Sequence, residues 1–337
     1  MPLFDQTREG HLGMTDKPST SRVDEPPANE RLKFGPIAPS PATPSPTAPA
    51  TSVGPALRRT PLFEAINSAR YSRQTLIRDI ESQTGNTLLC IVAEHGQISR
   101  SYATAVVDLL HNVDGGTNID LLLNSPGGDI DTAEKLTTLI RKKAGKGTVR
   151  VIVPDYAKSA ATLIALGADQ IVMSDTSELG PIDPQVTLPD TNGGSSIHSA
   201  RSYIDAYEQH AEALRANPED PVARLMLDKL DPAVLEKLTR ASKRSTVIAS
   251  ELLRTAMVRD GDTADDIASR LSDTAQWHSH GQMIGHERCS GLGLTVTYLD
   301  PRSDLWEALW RLYCLQAYSL PTGGTTLFES KVASLPL

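Results

Sequence analysis

A serine set between a strand and a helix, with two adjacent glycines about thirty residues upstream, is where this sequence could do chemistry. The upstream run is Asn124-Ser125-Pro126-Gly127-Gly128, and the downstream run is Tyr156-Ala157-Lys158-Ser159-Ala160-Ala161-Thr162. Tandem glycine allows a sharp turn and leaves N–H groups unshielded by any Cβ. Bare donors of that kind stabilise a developing oxyanion. A serine just after a strand, at the head of a small-residue helix, suits a nucleophile. The same position also suits a helix N-cap, a role serine readily fills. The residue after a nucleophile commonly supplies an oxyanion N–H, so Gly127, Gly128 and Ala160 are the expected donors around Ser159.

Positioning these turns requires strands that end at them. Ile119 to Leu123 reads as a strand closing on the glycine pair, and Thr148 to Val153 as one leading to the serine run. Thr87 to Ala93 and Gln170 to Met173 are further buried-strand runs. Helical spacing is expected over Ala65–Ile80, Ser101–Leu110 and Ile130–Ile140, with Ala160–Leu166 a short buried helix. Asp129 and Asp131 favour a helix N-terminus, and Gly145 and Gly147 end that helix region. Continuous apolar strands alternating with helices imply a mostly parallel sheet, covered on both faces and joined by right-handed crossovers.

Beyond a loop at Gly193-Gly194, residues 200 to about 272 read as a helical insertion, with Pro218, Pro221 and Pro232 starting successive segments. The Thr263–Asp266 run opens a further capped helix. Trp306, Leu309, Trp310 and Tyr313 mark an amphipathic C-terminal helix, read as core or subunit interface, within a final segment 301–337 expected to be that helix and a tail. Residues 1–58 are a different material. Twelve of the 23 prolines lie at or before Pro61, and the Pro36–Ala50 stretch has little to bury, so a disordered tail with polyproline character is expected.

The chain has 337 residues, 39% hydrophobic and only 4% aromatic, so a core of Leu, Val, Ile and Ala is expected. Its net charge of −8 argues against nucleic acid as the main partner. Cys90, Cys289 and Cys314 are odd in number and scattered, which fits a reducing compartment. Met1–Arg8 lacks an apolar leader, and no run nears the ~18 apolar residues of a membrane span, so a cytoplasmic protein is expected.

The two runs, in this order and spacing, resemble the Clp protease proteolytic subunit and signal peptide peptidase A superfamily. The continuation Leu163–Ser174, then Ser177-Glu178-Leu179-Gly180-Pro181-Ile182-Asp183-Pro184-Gln185, is similar to its serine dehydrogenase proteinase family. The resemblance covers roughly Leu62 to Asp300 and implies an α/β, crotonase-like spiral of β-β-α units over residues 59–300, plus the helical insertion and C-terminal helix. It also implies a serine-type peptidase that needs no cofactor, acts on peptides or proteins and assembles as a homo-oligomer. Asp183 stands where the Clp subunit carries a histidine, and a carboxylate is a poor base for an alcohol unless desolvated or relayed through histidine. His280, in Ser279-His280-Gly281-Gln282-Met283-Ile284, resembles a histidine run of the same family, so a Ser159–His280–Asp183 constellation is expected.

Alternatives stay open at this point. Asp183 also suits a turn before Pro184, and His280 a structural role in its loop. Lys158 is badly placed as a base, because adjacent residues at a helix start diverge. Lys229, Lys237 and Lys243 are not singled out by any pattern. His278, His280, His286 and Cys289 lack a partner motif for zinc. No Gly-x-Gly-x-x-Gly fingerprint supports a dinucleotide enzyme. The rivals to a peptidase are a crotonase-like acyl-CoA enzyme and a non-catalytic binding protein on the same scaffold.

Overall fold

Strands that are apolar at every position need cover on both faces, and the central sheet has it. A computed structural model describes residues 59–189, 194–320 and 325–337. The expected tail 1–58 and the loop at Gly193 lie outside the described residues. In chain order the elements are α1 (Pro61–Thr84), β1 (Thr87–Ala93), α2 (Tyr102–His111), β2 (Ile119–Asn124), α3 (Ile130–Ala144), β3 (Val149–Ile152), β4 (Tyr156–Ala157), α4 (Ala160–Leu166) and β5 (Gln170–Met173). They continue with β6 (Glu178–Leu179), β7 (Gln185–Pro189), β8 (Ser195–Ser199), α5 (Ala200–Ala216), α6 (Pro221–Asp228), α7 (Pro232–Thr255), α8 (Gly261–Ser272), α9 (Thr274–Trp277) and α10 (His286–Gly291). Last come β9 (Val296–Tyr298), α11 (Asp304–Tyr318), β10 (Thr326–Glu329) and β11 (Ser334–Pro336).

The sheet runs β11-β10-β1-β2-β3-β5-β9. Strands β1, β2, β3, β5 and β9 are parallel, while β10 and β11 are added antiparallel at the edge. Alternate residues of β1 face opposite layers, as the two-residue repeat of a strand requires. Leu89 and Ile91 join the large core with α2, α3 and α4, whereas Leu88, Cys90 and Val92 pack with Ile77 and Ile80 of α1 and Leu309 and Leu312 of α11. A second, shorter set of parallel pairings runs across the strand ends: Ile98 with Gly128, Ser125 with Ala157, and Tyr156–Ala157 with Glu178–Leu179. Each repeat of strand, short extended piece and helix is thus one β-β-α turn of a spiral, and the extended pieces carry the residues singled out above.

Two carboxylates sit in buried strands, Asp120 in β2 and Glu329 in β10. Asp120 of β2 is fully buried, and its partner is Arg150, its register neighbour on β3, with bonds of 2.7 and 2.6 Å. That bidentate pair meets the need of a buried carboxylate for a counter-ion. A second bidentate pair, Arg73–Glu329 at 2.8 and 2.9 Å, fastens α1 to β10.

Several expectations change. The final segment does not end as a tail: residues 326–336 supply β10 and β11. Of the two readings of the α11 aromatic stripe, core holds, with Trp306 and Tyr313 buried against α1 and the sheet and Trp310 partly buried. Pro221 and Pro232 do begin helices, behind Asp220 and Asp231 as caps, but Pro218 lies in the linker before α6. The cap of α8 is Asp260, which accepts from Thr263 N, so the helix starts two residues before Thr263. A hairpin, β7–β8, flanks the segment read as loop. The far half of α7 is not peripheral: Ile248, Ala249, Leu252 and Leu253 belong to the large core.

Candidate active site

Ser159 occupies a turn that ordinary residues avoid. Its φ is 50° and its ψ −118°, between β4 and α4. Only Ser159 and His278 have positive φ among the described non-glycine residues. Such strain persists where the surroundings over-determine it, and a strained strand-to-helix turn lifts a nucleophile clear of its helix. The side chain makes no capping hydrogen bond, so the N-cap role does not account for serine here.

The glycine pair is built against this turn. Gly127 has φ 105° and Gly128 φ 142°. A methyl group on Gly127 would stand 2.7 Å from Lys158 O, 2.8 Å from Ser159 Cβ and 3.1 Å from Ala160 N. One on Gly128 would stand 2.4 Å from Ile98 O. The strand ends hold the two turns together: Ser125 N donates to Tyr156 O, Lys158 N to Ser125 O, and Tyr156 N to Asn124 Oδ1, all at 3.0 Å. Gly127 N donates to Ser125 Oγ at 3.2 Å. The N–H groups of Gly128 and Ala160, by contrast, have no acceptor among the described residues. Ala160 is the first residue of α4, where a helix leaves its N–H groups unpaired. Of the three expected oxyanion donors, Gly128 and Ala160 are therefore unengaged, and Gly127 supplies the close approach.

Asp183 and His280 are brought together from opposite ends of the helical stretch. His280 Nδ1 lies 2.8 Å from Asp183 Oδ1; Asp183 is 2% exposed and His280 18%. With Nδ1–H donating to the carboxylate, Nε2 keeps its lone pair. The second carboxylate oxygen, Oδ2, is buried and has no hydrogen-bond partner among the described residues. A cleft of about 350 Å³ opens beside the pair, lined in part by Ser199, Ser202 and Thr274. Ser159 is not in that lining, and no hydrogen bond joins its Oγ to His280 or to any other described residue. The structure thus brings Ser159 together with its glycines, and the His280 imidazole together with the Asp183 carboxylate, as two half-sites.

Residues 58–314 match the family model described as ClpP-like SDH-type serine proteinase. The chain belongs to this family. Among curated relatives, it is 30% identical over 178 residues to the uncharacterized protein MJ0137 of Methanocaldococcus jannaschii, a stretch covering 53% of each chain. It is 28% identical over 244 residues to MJ1495 of the same organism, over 68% of this chain and 73% of that one. The chain thus spans about half the length of the first of these relatives. Among solved structures, ClpP1 from Listeria monocytogenes aligns over 71% of this chain and 99% of that one, with 12% identity and a TM-score of 0.36. A mutant of the 1510-N membrane-bound stomatin-specific protease in complex with a substrate peptide aligns over 68% and 98%, with 16% identity and a TM-score of 0.34.

Other candidates in this SDH-type proteinase chain fall away from the two half-sites. Lys158 Nζ points to Glu178 and to backbone carbonyls, not to Ser159 Oγ. Lys229, Lys237 and Lys243 are exposed on α6 and α7. His278 is exposed, His286 stacks on Tyr298, and Cys289 is buried with its thiol pushed up to about 12 by burial, so it is an inert packing group. Among the described residues no three His, Cys, Asp or Glu side chains converge as metal ligands, and no helix is long and apolar enough to cross a membrane. Sequence reasoning missed Thr162, whose hydroxyl bonds Ala157 O at 2.7 Å and Gly180 O at 3.0 Å, tying the serine turn to β6. A threonine amid the small residues opening a buried helix was the available signal.

Proposed function

We propose that this protein is a serine-type peptidase in which Ser159 is the nucleophile. Its Oγ attacks the substrate carbonyl carbon while its proton passes to His280 Nε2. The carbonyl oxygen, now negative, accepts from the N–H groups of Gly128 and Ala160. Asp183 holds the imidazole by Nδ1 and stabilises the imidazolium. The proton then goes to the departing amine, and water, activated by the same imidazole, hydrolyses the acyl-enzyme. No cofactor enters this scheme. The substrate is a peptide or protein.

The observation that carries the reading is the strained φ of Ser159 beside two N–H groups without acceptors. One observation favours a second reading, a binding protein on a peptidase scaffold: the serine has no base at hydrogen-bond distance. Catalytic contacts often tighten only when substrate binds, so geometry without substrate does not exclude the first reading. A fluorophosphonate probe with mass-spectrometric mapping separates them. The peptidase reading expects modification of Ser159 and hydrolysis of a casein-type substrate. An unmodified, inert protein overturns it.

Assembly as a homo-oligomer belongs to this proposal as well. Its support is the apolar outer surface of α6, where Val222, Leu225 and Met226 are exposed, rather than the aromatic face of α11. Light scattering giving a monomer mass at micromolar concentration would count against it.

A further inference from the structure

Lys158 precedes the nucleophile, yet its side chain reaches the segment that carries the candidate base. Its backbone is held by the serine turn: N donates to Ser125 O at 3.0 Å, and O accepts from Ala161 N at 2.8 Å. Its ammonium lies 3.0 Å from Glu178 Oε1 and 3.2 Å from Leu179 O, both on β6. It also lies 3.4 Å from Gly281 O and 3.2 Å from Gln282 O, the two residues directly after His280. An ammonium has three donors and no acceptor, so all its capacity is spent on joining these segments. Among the described residues no other donor reaches the carbonyls of Gly281 or Gln282.

The remaining ties of the loop lie on either side. Leu179 and Ile284 exchange backbone bonds of 3.0 and 3.1 Å, and Asp183 holds the His280 ring. Between them, Gln282 N donates to Ser279 O at 3.1 Å and Gly281 N to Ser279 Oγ at 3.3 Å, both within the loop, while the carbonyls of 281 and 282 are tied to the serine turn by Lys158. The chain's own order makes this tether a ruler: one residue carries the ammonium that sets the loop, and the next carries the hydroxyl that must meet the imidazole.

We propose that Lys158 is a positioning residue that sets the His280 loop against the Ser159 turn. The proposal rests on reading His280 as the base for Ser159. Misplacement of a reacting group by about 1 Å costs on the order of 100-fold in rate, so a tether at this joint acts on turnover more than on folding.

The structure also supplies a lever on Lys158 that touches no member of the candidate site. A methyl group on Gly180 would stand 2.6 Å from Lys158 Cδ and 3.4 Å from its Cβ. Gly180→Ala therefore displaces the lysine stem and leaves its charge intact. The test compares full-length wild type, Lys158→Met and Gly180→Ala. Amide hydrogen exchange over residues 278–284 reports the loop, and kcat, KM and the rate of fluorophosphonate labelling report the site.

The expected result is at least about tenfold faster exchange confined to this segment in both variants. Turnover should fall by about 30- to 100-fold, with KM within about threefold and the melting temperature nearly unchanged. A merely structural lysine would lower the melting temperature and leave kcat of the folded enzyme alone, which overturns the proposal. Should Lys158→Met fail to fold, Gly180→Ala decides. Unaltered exchange and turnover in a variant whose wild type labels at Ser159 overturn this proposal alone. A wild type that does not label overturns the peptidase reading, and this proposal with it.

Discussion

Ser159 and its glycines grow directly out of the ends of β2 and β4, and their backbones are pinned by bonds between neighbouring turns of the spiral. His280 stands instead on the segment between α9 and α10, about 120 residues further along the chain, and reaches the site region through Asp183, Lys158 and the Leu179–Ile284 pairing. The first half-site is closely packed: a Cβ on either of its glycines would collide with backbone. The second is held by the Asp183 and Lys158 side chains and one pair of backbone bonds, and few contacts open more easily. Under the proposed mechanism the two constructions fit different needs: a nucleophile turn must resist its own strain, whereas a base has to close on a substrate.

The sharpest way to break this contrast is at Ser159. Ser159→Ala should lower turnover by about 10⁴-fold or more. Ser159→Gly should do the same while raising stability by about 1–3 kcal/mol, because glycine adopts the positive φ without strain. Denaturant melts that show no gain for glycine over alanine would remove the claim of strain.

Next comes the glycine turn. Gly128→Ala places a methyl group 2.4 Å from Ile98 O at φ 142°, so the turn must distort. Loss of an aligned oxyanion donor should cost about 10²–10³-fold in kcat, with a clear drop in melting temperature. Wild-type kinetics in this variant would show that Gly128 does not face the oxyanion.

The base half-site should respond in turnover but not in folding. His280→Ala and Asp183→Asn should each slow turnover by about 10²–10⁴-fold with little change in melting temperature. Activity that climbs steadily into the alkaline range, with a mild His280→Ala, would point to an amine base instead.

The smallest effect concerns Tyr156, in the strand before the nucleophile. Burial, with the nearby Glu94 carboxylate, pushes its phenol from the ordinary 10.0 up to about 12. The folded protein therefore keeps a proton that the unfolded chain loses first, so stability should decline as pH rises from about 10 towards 12. Tyr156→Phe should flatten that decline in alkaline melts. An unchanged slope would place its cause elsewhere.

Much of the frame was legible in the residues. Strands β1 and β5 and helix α4 have the bounds their apolar runs imply, because fully buried strands leave an unbroken signature and punctuating glycines mark their ends. Other features were not. β10 and β11 are short and pair antiparallel across the sheet's edge, a contact no local pattern encodes. Asp120 reads as a flaw in a strand until Arg150 is seen beside it in register. The aromatic face of α11 looked equally suited to core and to interface, since amphipathicity shows that a face is covered and not by what.

The sequence by itself determined the alternating architecture, the serine run and the glycine turn, because strand burial, strand-to-helix punctuation and φ freedom are local properties of residue type. Tertiary structure alone decided that Gly127 packs on Ser159 and that, among the described residues, the Gly128 and Ala160 N–H groups have no acceptor while that of Gly127 has one. It also decided that the Lys158 ammonium contacts the loop carbonyls rather than Ser159, and that Asp183 and His280 meet across 97 residues. Those outcomes depend on which chain ends converge, and convergence is set by the summed packing of distant elements.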